Sequence, residues 1–319
     1  MAHCVESMAF TGATPWHGLG KQLTENQPIE VWAQEAGMDW EIKETPVRFM
    51  SAGNHEKSAL LTYPERKVLF RSDTQEPLSV VSQRYQVVQP REILEFYRDL
   101  TEMSGFQLHT AGVLKGGRKV WALAKTGQST LLRGNDLVEG YVLLATACDG
   151  TLATTAQFTS VRVVCHNTLS IALDKGQGVV RVPHSTQFNP QAVKDELGIS
   201  VTSWDAFMYR MKHLSERKVS HKEAEDFFLT LFSTQSQGNA TPLATQPMKK
   251  ALALYEGHGR GAELNTAKGT ALGLLNSITE FIDHERRAHS QDHRLDSAWF
   301  GQGATLKQKA LNQSLALLA

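Results

Sequence analysis

Apolar residues follow two rhythms along this 319-residue chain. Up to about residue 185 they alternate with polar residues or form short blocks between turn signals, the period of strands. From Asn189 onward they recur at three- and four-residue spacing, the period of helices. In the stretch from Asp136 to Leu173, apolar runs at 141–148 and 151–159 flank Asp149-Gly150. That dipeptide predicts a hairpin closed by a type I′ turn. A second hairpin is predicted from 106–114 and 118–125 across Lys115-Gly116-Gly117, with Lys119, Trp121, Leu123 and Lys125 alternating against Val120, Ala122 and Ala124. Together the two hairpins make an antiparallel meander of at least four strands, and 179–182 adds an edge strand stopped by Pro183. Further strands are expected at 45–50, 58–63, 67–71 and 78–81, and helices at 28–36 and 90–104. Residues 1–27 read as irregular structure or an arm, with Trp16 as its docking point. Beyond the meander the spacing predicts a short helix capped by Asn167, then helices over 190–197, 204–214, 221–232, 247–255, 270–288 and 305–318. The fold class is therefore α+β. An N-terminal antiparallel β-meander with packed helices (1–185) is followed by a mainly helical C-terminal part (186–319). No period of 20–50 residues repeats, which argues against a solenoid.

Composition changes this picture in only a few places. Lys and Arg total 33, as do Asp and Glu, so the formal net charge is zero. A dedicated phosphate binder is usually basic overall, and here a cationic groove would have to be local. The three cysteines, Cys4, Cys148 and Cys165, are widely spaced and form neither a disulfide framework nor a paired zinc motif. With no basic-then-apolar leader and no membrane-length apolar run, a cytoplasmic protein without membrane contact is expected.

Candidate chemistry is sparse. Cys165-His166-Asn167 has the residue types of a cysteine protease, but adjacent side chains diverge and cannot line up as nucleophile, base and orienter. A buried free thiol followed by a helix cap is the plainer reading. Arg162 sits between valines, so it either faces a ligand or is buried with a carboxylate partner. The turn Lys115-Gly116-Gly117-Arg118-Lys119 gathers three cations beside Trp121, where glycines would let phosphate approach and an aromatic could stack on a base. The alternative is an ordinary solubilising turn. The stretches Gly176-Gln177-Gly178 and Gly257-His258-Gly259-Arg260-Gly261 have neither a P-loop nor a dinucleotide fingerprint. His284, His289 and His293, with Asp283 and Asp292, are the best metal candidates, and His289 and His293 would share a helical face. Arg286, Arg287 and Arg294 crowd the same stretch and suit an anion better than a cation. No cofactor or metal is expected.

A resemblance becomes specific at Arg162–Leu169 (RVVCHNTL), together with Ser82–Val88 (SQRYQVV) and Asp149-Gly150. It extends through Gly269-Thr270, Asn276–His284 (NSITEFIDH) and Arg294–Gly301 (RLDSAWFG), and back to Pro15–Gly20 (PWHGLG). On these motifs, over nearly the whole length, the chain resembles the phage/plasmid-like protein family built on domain of unknown function 932. The resemblance implies a setting on phages and plasmids, and no assigned activity. A β-meander packed on helices is also broadly similar to single-strand annealing proteins of recombination, an analogy of fold that does not fix function.

The first functional expectation is a nucleic-acid-binding protein that binds or anneals single-stranded DNA in recombination or replication, assembled as a homo-oligomer. A cationic groove with stacking aromatics would be lined by Lys115, Arg118, Lys119, Trp121, Arg162, Arg286, Arg287 and Arg294. One alternative is an enzyme using Cys165 or a metal at the histidine group. Another is a protein-binding inhibitor of a host system, marked by an exposed apolar patch.

Overall fold

The computed structural model of the protein describes residues 7–12, 20–51, 59–104, 106–162, 164, 167–170, 179–197, 201–232 and 246–318. In chain order, β1 (Ser7–Thr11), β2 (Lys21–Leu23) and α1 (Ile29–Glu35) precede three strands, β3 (Ile42–Ser51), β4 (Ala59–Arg71) and β5 (Pro77–Ser82). Next come α2 (Pro90–Ser104) and the meander: β6 (Gln107–Leu114), β7 (Lys119–Leu132), β8 (Asp136–Ala147) and β9 (Thr154–Arg162). Strands β10 (Asn167–Ser170) and β11 (Val179–Val182) both pair with β9, at different heights along it. The large sheet runs β10-β9-β8-β7-β6-β1-β2, and β3-β4-β5 forms a separate small sheet. The fold is α+β, with the antiparallel meander at its centre and helices following it.

Two expectations about the meander change. The Asp149-Gly150 hairpin forms, but its connection runs from Cys148 to Ala153 and only Gly150 has a positive φ (76°). The Asp149 carboxylate accepts from the Thr151 amide and hydroxyl, an Asx-type turn that replaces the two-residue type I′ geometry. The residues after Asn167 form a strand instead of a helix, because pairing of 167–170 with 159–162 outweighs local preference. The N-terminal residues likewise join the large sheet: β1 pairs antiparallel with β6 and parallel with β2. Trp16 lies outside the described residues.

Helices α3 (Pro190–Leu197), α4 (Val201–Glu216), α5 (His221–Phe232), α6 (Gln246–Ala253), α7 (Ala271–Glu280), α8 (Gln291–Phe300) and α9 (Gln302–Ala316) complete the chain. Their starts are chemically marked. Ser220 and Glu223 form a capping box on α5, and Thr270 and Ser290 accept backbone N–H groups at the heads of α7 and α8. The helix expected over 270–288 is interrupted: a wider turn spans Phe281–Glu285, and Arg286 leaves helical geometry.

The helices reach both faces of the large sheet. Odd-numbered β7 positions share one face with Leu143, Ala145 and Gln157 by register, and there Trp121 meets Trp299 of α8 edge-on at 4.6 Å. Phe158 points to the opposite face and meets Trp204 of α4 at 6.0 Å. On α2, the Tyr97 hydroxyl donates to the carbonyls of Ala122 and Val142 at 2.8 and 3.0 Å. One contiguous apolar core joins sheet and helices.

Candidate nucleic-acid interface

The strand alternation that made Lys119 and Trp121 attractive also buries them. Trp121 is 0% exposed, so it has no face for a base. Lys115 and Lys119 both clasp Asp296 of α8, the former at 2.7 Å. Burial pushes the Asp296 carboxyl up, but hydrogen bonds from Lys115 and Lys119 outweigh it and hold the carboxyl below its usual range. These two cations lock α8 to the sheet; Lys119 is buried, while Lys115 is half-buried and the three groups keep one net positive charge. Of the predicted turn cluster, Arg118 is exposed.

Arg162 resolves to its second alternative. Val138 of β8 stands opposite it, and Asp136, two residues along on the same face, receives the Arg162 Nε at 2.8 and 2.9 Å. Thr266 Oγ1 donates to Asp136 at 2.6 Å, and Arg162 Nη2 donates to the Gly261 carbonyl at 3.3 Å. Asp136 is 0% exposed, and both charges are satisfied inside the protein.

The glycine-rich 257–261 segment packs over this centre. Arg260 N donates to both Glu280 carboxylate oxygens at 3.1 and 2.9 Å. A Cβ at Gly259 would stand 2.8 Å from Glu280 Oε2, so the close approach requires glycine. Burial raises the Glu280 pKa, opposed by the Arg260 amide and charge. This is how the glycines are used: they enclose a carboxylate, where a phosphate had been the other option.

The C-terminal cations are also engaged. Arg286 Nη2 donates to Gln302 Oε1 at 3.1 Å, and Arg294 Nη1 donates to the His284 carbonyl. Arg287 is exposed. His289 precedes α8 while His293 lies in its first turn, so they do not share a helical face. Among the described residues no His, Cys, Asp and Glu group could hold a metal ion. Cys165 and His166 lie outside the described residues, as do Gly176–Gly178.

A different surface emerges on the small sheet. β5 pairs with β4 only from Arg66 to Phe70, so beyond it β3 and β4 continue as a two-stranded ribbon. Val47 pairs with Tyr63 and Phe49 with Leu61, placing these four side chains on one face. Phe49 is 47% and Tyr63 42% exposed. Met50 and Leu60, paired on the opposite face, are exposed too.

Exposed arginines surround the ribbon. Arg48 lies on it, Arg66 stands opposite Ser82 at its base, and Arg84 follows two residues later. Arg118 lies towards the other end of the small sheet, where Gly117 packs against Trp40 and Arg71. Cys148 N donates to the Arg118 carbonyl, and the Cys148 carbonyl accepts from Ser79 of β5. None of these four arginines has an ion-pair partner among the described residues.

Both ribbon strands are legible in the sequence, but their exposure is less so. The available signal was the adjacent apolar pairs Phe49-Met50 and Leu60-Leu61, which cannot both point inward from one ribbon. Asp136, Asp296 and Glu280 were also missed. Each is an acid within or beside an apolar run, which is where a buried cation finds its partner.

An α+β sheet clasped by helices, with an exposed apolar ribbon, is the class that the fold defines. The chain belongs to the family described as domain of unknown function (DUF932), whose sequence model matches residues 77–299. The matched stretch opens at β5 and closes in α8, leaving β3 and β4 outside it. Compared with curated proteins, the chain matches none. No described helix is long and apolar enough to cross a membrane.

Proposed function

We propose that the protein binds single-stranded nucleic acid on the β3–β4 ribbon. The observation that carries this reading is the exposed row of Phe49, Leu61 and Tyr63, with Arg66 and Arg84 at the base of the ribbon and Arg48 on its other face. Aromatic faces stack on bases of any identity, and arginines follow the phosphates. The resemblance to phage- and plasmid-borne proteins is a second support.

The test is anisotropy of a labelled oligothymidine across a salt series. Three phosphate contacts, from Arg48, Arg66 and Arg84, imply a log–log salt slope of about −2 for a single strand. Phe49→Ala with Tyr63→Ala lowers affinity at every salt concentration, whereas Arg66→Ala with Arg84→Ala flattens the slope by about 1.4. Absence of binding at low salt, or binding indifferent to all four substitutions, refutes the proposal.

A second reading has its own observation. Met50 and Leu60 make the opposite ribbon face apolar as well, a feature of protein docking and self-association. Light scattering on wild type and Met50→Lys with Leu60→Glu separates the two. A mass that falls in the variant while oligonucleotide binding is absent favours docking.

A further inference from the structure

The C-terminal arginines collect around one turn. Two wide turns pack against α7: Leu254–His258, where Gly257 takes a φ of 128°, and Phe281–Glu285, closed by Arg286 N donating to the Phe281 carbonyl at 2.6 Å. Such turns shift side chains off the regular stripe of a helix and recur at functional sites. Here Arg260, just past the first, meets His284 of the second, with Arg260 Nη1 2.9 Å from His284 Nδ1. Arg294 of α8 donates to the His284 carbonyl, and Arg286 Nη2 donates to Gln302 Oε1 at 3.1 Å.

These arginines differ from Lys115, Lys119, Arg162 and Lys307, each of which meets a carboxylate. The side chains of Arg260, Arg286 and Arg294 are held by a ring nitrogen, an amide oxygen and a carbonyl, and none has an ion-pair partner among the described residues. Neutral anchors fix a guanidinium in place and leave its charge available to an anion. Arg286 is half-buried, and its Nη1 is a buried donor with no hydrogen-bond partner among the described residues. Buried donors nearly always have one, so an orphaned N–H on a cation marks where an acceptor belongs. The nearby acids do not supply it. Asp283 pairs with Lys307, and Glu285 with Lys250 at 3.1 Å. Glu280 takes the Arg260 backbone amide, its charge offsetting part of the Arg260 field, and Asp292 is buried in the first turn of α8. With exposed Arg287 beside them, the arginines keep a local positive excess.

Three guanidinium forks from three segments define the ligand's chemistry. A carboxylate presents two oxygens in one plane, whereas a phosphate monoester presents three around a tetrahedral phosphorus and carries close to two negative charges. We propose that Arg260, Arg286 and Arg294, gathered at the His284 turn, bind the phosphate of a phosphate monoester. The site uses no ribbon residue, and the proposal does not rest on the reading given above.

Adenosine 5′-monophosphate, titrated into the full chain and followed by calorimetry and phosphorus NMR, tests it, with adenosine as the control. Saturable binding of the nucleotide is expected, with inorganic phosphate competing, and Arg260→Gln and Arg294→Gln each weaken it about tenfold or more. Arg260 is exposed and holds Glu280 through its backbone amide, so Arg260→Gln keeps the fold even where Arg294→Gln does not. Arg66→Ala with Arg84→Ala leaves nucleotide affinity unchanged, so failure of the ribbon reading and failure of this one stay distinguishable. A 5′-phosphorylated oligothymidine that competes, while its 5′-hydroxyl counterpart does not, identifies a strand end. Competition by neither identifies the free monoester, and both outcomes support the site. Equal competition by the two strands, equal binding of adenosine, no saturable binding up to millimolar nucleotide, or unchanged affinity in Arg260→Gln overturns it.

Discussion

Replacing Asp136 by alanine isolates the most consequential charge in the large sheet. The substitution removes both oxygens that receive Arg162 Nε, and it also strips Thr266 of its acceptor. Arg162, itself buried, then loses both oxygens on its Nε and keeps the Gly261 carbonyl, with the Glu280 carboxylate still within electrostatic reach. Removing one member of a buried pair costs about 3–5 kcal/mol, chiefly as the uncompensated charge of the other. Sheet and helices share one contiguous core, so a single cooperative urea transition is expected. At a slope of about 3 kcal/mol per molar, the midpoint moves down by roughly 1–1.7 M. The double replacement Asp136→Leu with Arg162→Met removes both charges at similar volume and recovers most of that loss, because burying the pair carried its own desolvation cost. Urea melts of wild type, single and double variants decide the matter. A single variant within about 1 kcal/mol of wild type, or a double variant no better than the single, refutes the view that Arg162 is held by internal neutralisation.

Other expectations follow from groups with shifted titration. The Asp296 pKa is held down, so its contribution is fully present above the unfolded carboxylate value of about 4 and is lost as pH falls through the lower folded value. Thermal melts should therefore show Asp296→Asn less stable than wild type at pH 7, with the gap closing as pH falls below the usual carboxylate range. Glu280 acts with the opposite sign. Its raised pKa costs stability as pH climbs through it, so Glu280→Gln narrows the loss between weakly acidic and neutral pH in the same melts. Burial, then the neighbouring Asp149 charge, pushes the Cys148 thiol up to about 12. Native protein should react with a disulfide reagent at Cys148 far more slowly than urea-unfolded protein, read by mass spectrometry of the labelled peptide.

Local chemistry was legible and long-range pairing was not. The Asp149-Gly150 and Lys115–Gly117 connections appear in the sequence because turn residues act over four positions, and α2, α3 and α5 match their expected bounds. Helix α8 was hidden because its stretch looked like a histidine and arginine cluster, although Ser290 marks its start. Strand β10 was misread as a helix because its partner β9 decides its form and its own four residues do not. The acids are harder still: Asp136 lies 26 residues from Arg162, and Asp296 lies 177 from Lys119. Only the fold brings each pair together.

The cations themselves still carried a usable signal, of the opposite sign to the one first taken from them. A lysine or arginine embedded in an alternating apolar strand, as Lys119 and Arg162 are, can be buried only if a carboxylate comes with it. Such residues point to an unseen acid. Cations available to a polyanion are those whose strand positions already face water, as at Arg48 and Arg66, or which follow a strand or sit on a turn, as at Arg84 and Arg118. In a chain with equal numbers of positive and negative residues, acids paired inside draw cations from the surface: Asp136 and Asp283 take one each and Asp296 takes two. The exposed arginines near the ribbon are thus what remains after internal pairing, and their position beside exposed aromatics is the arrangement that the oligonucleotide titration probes.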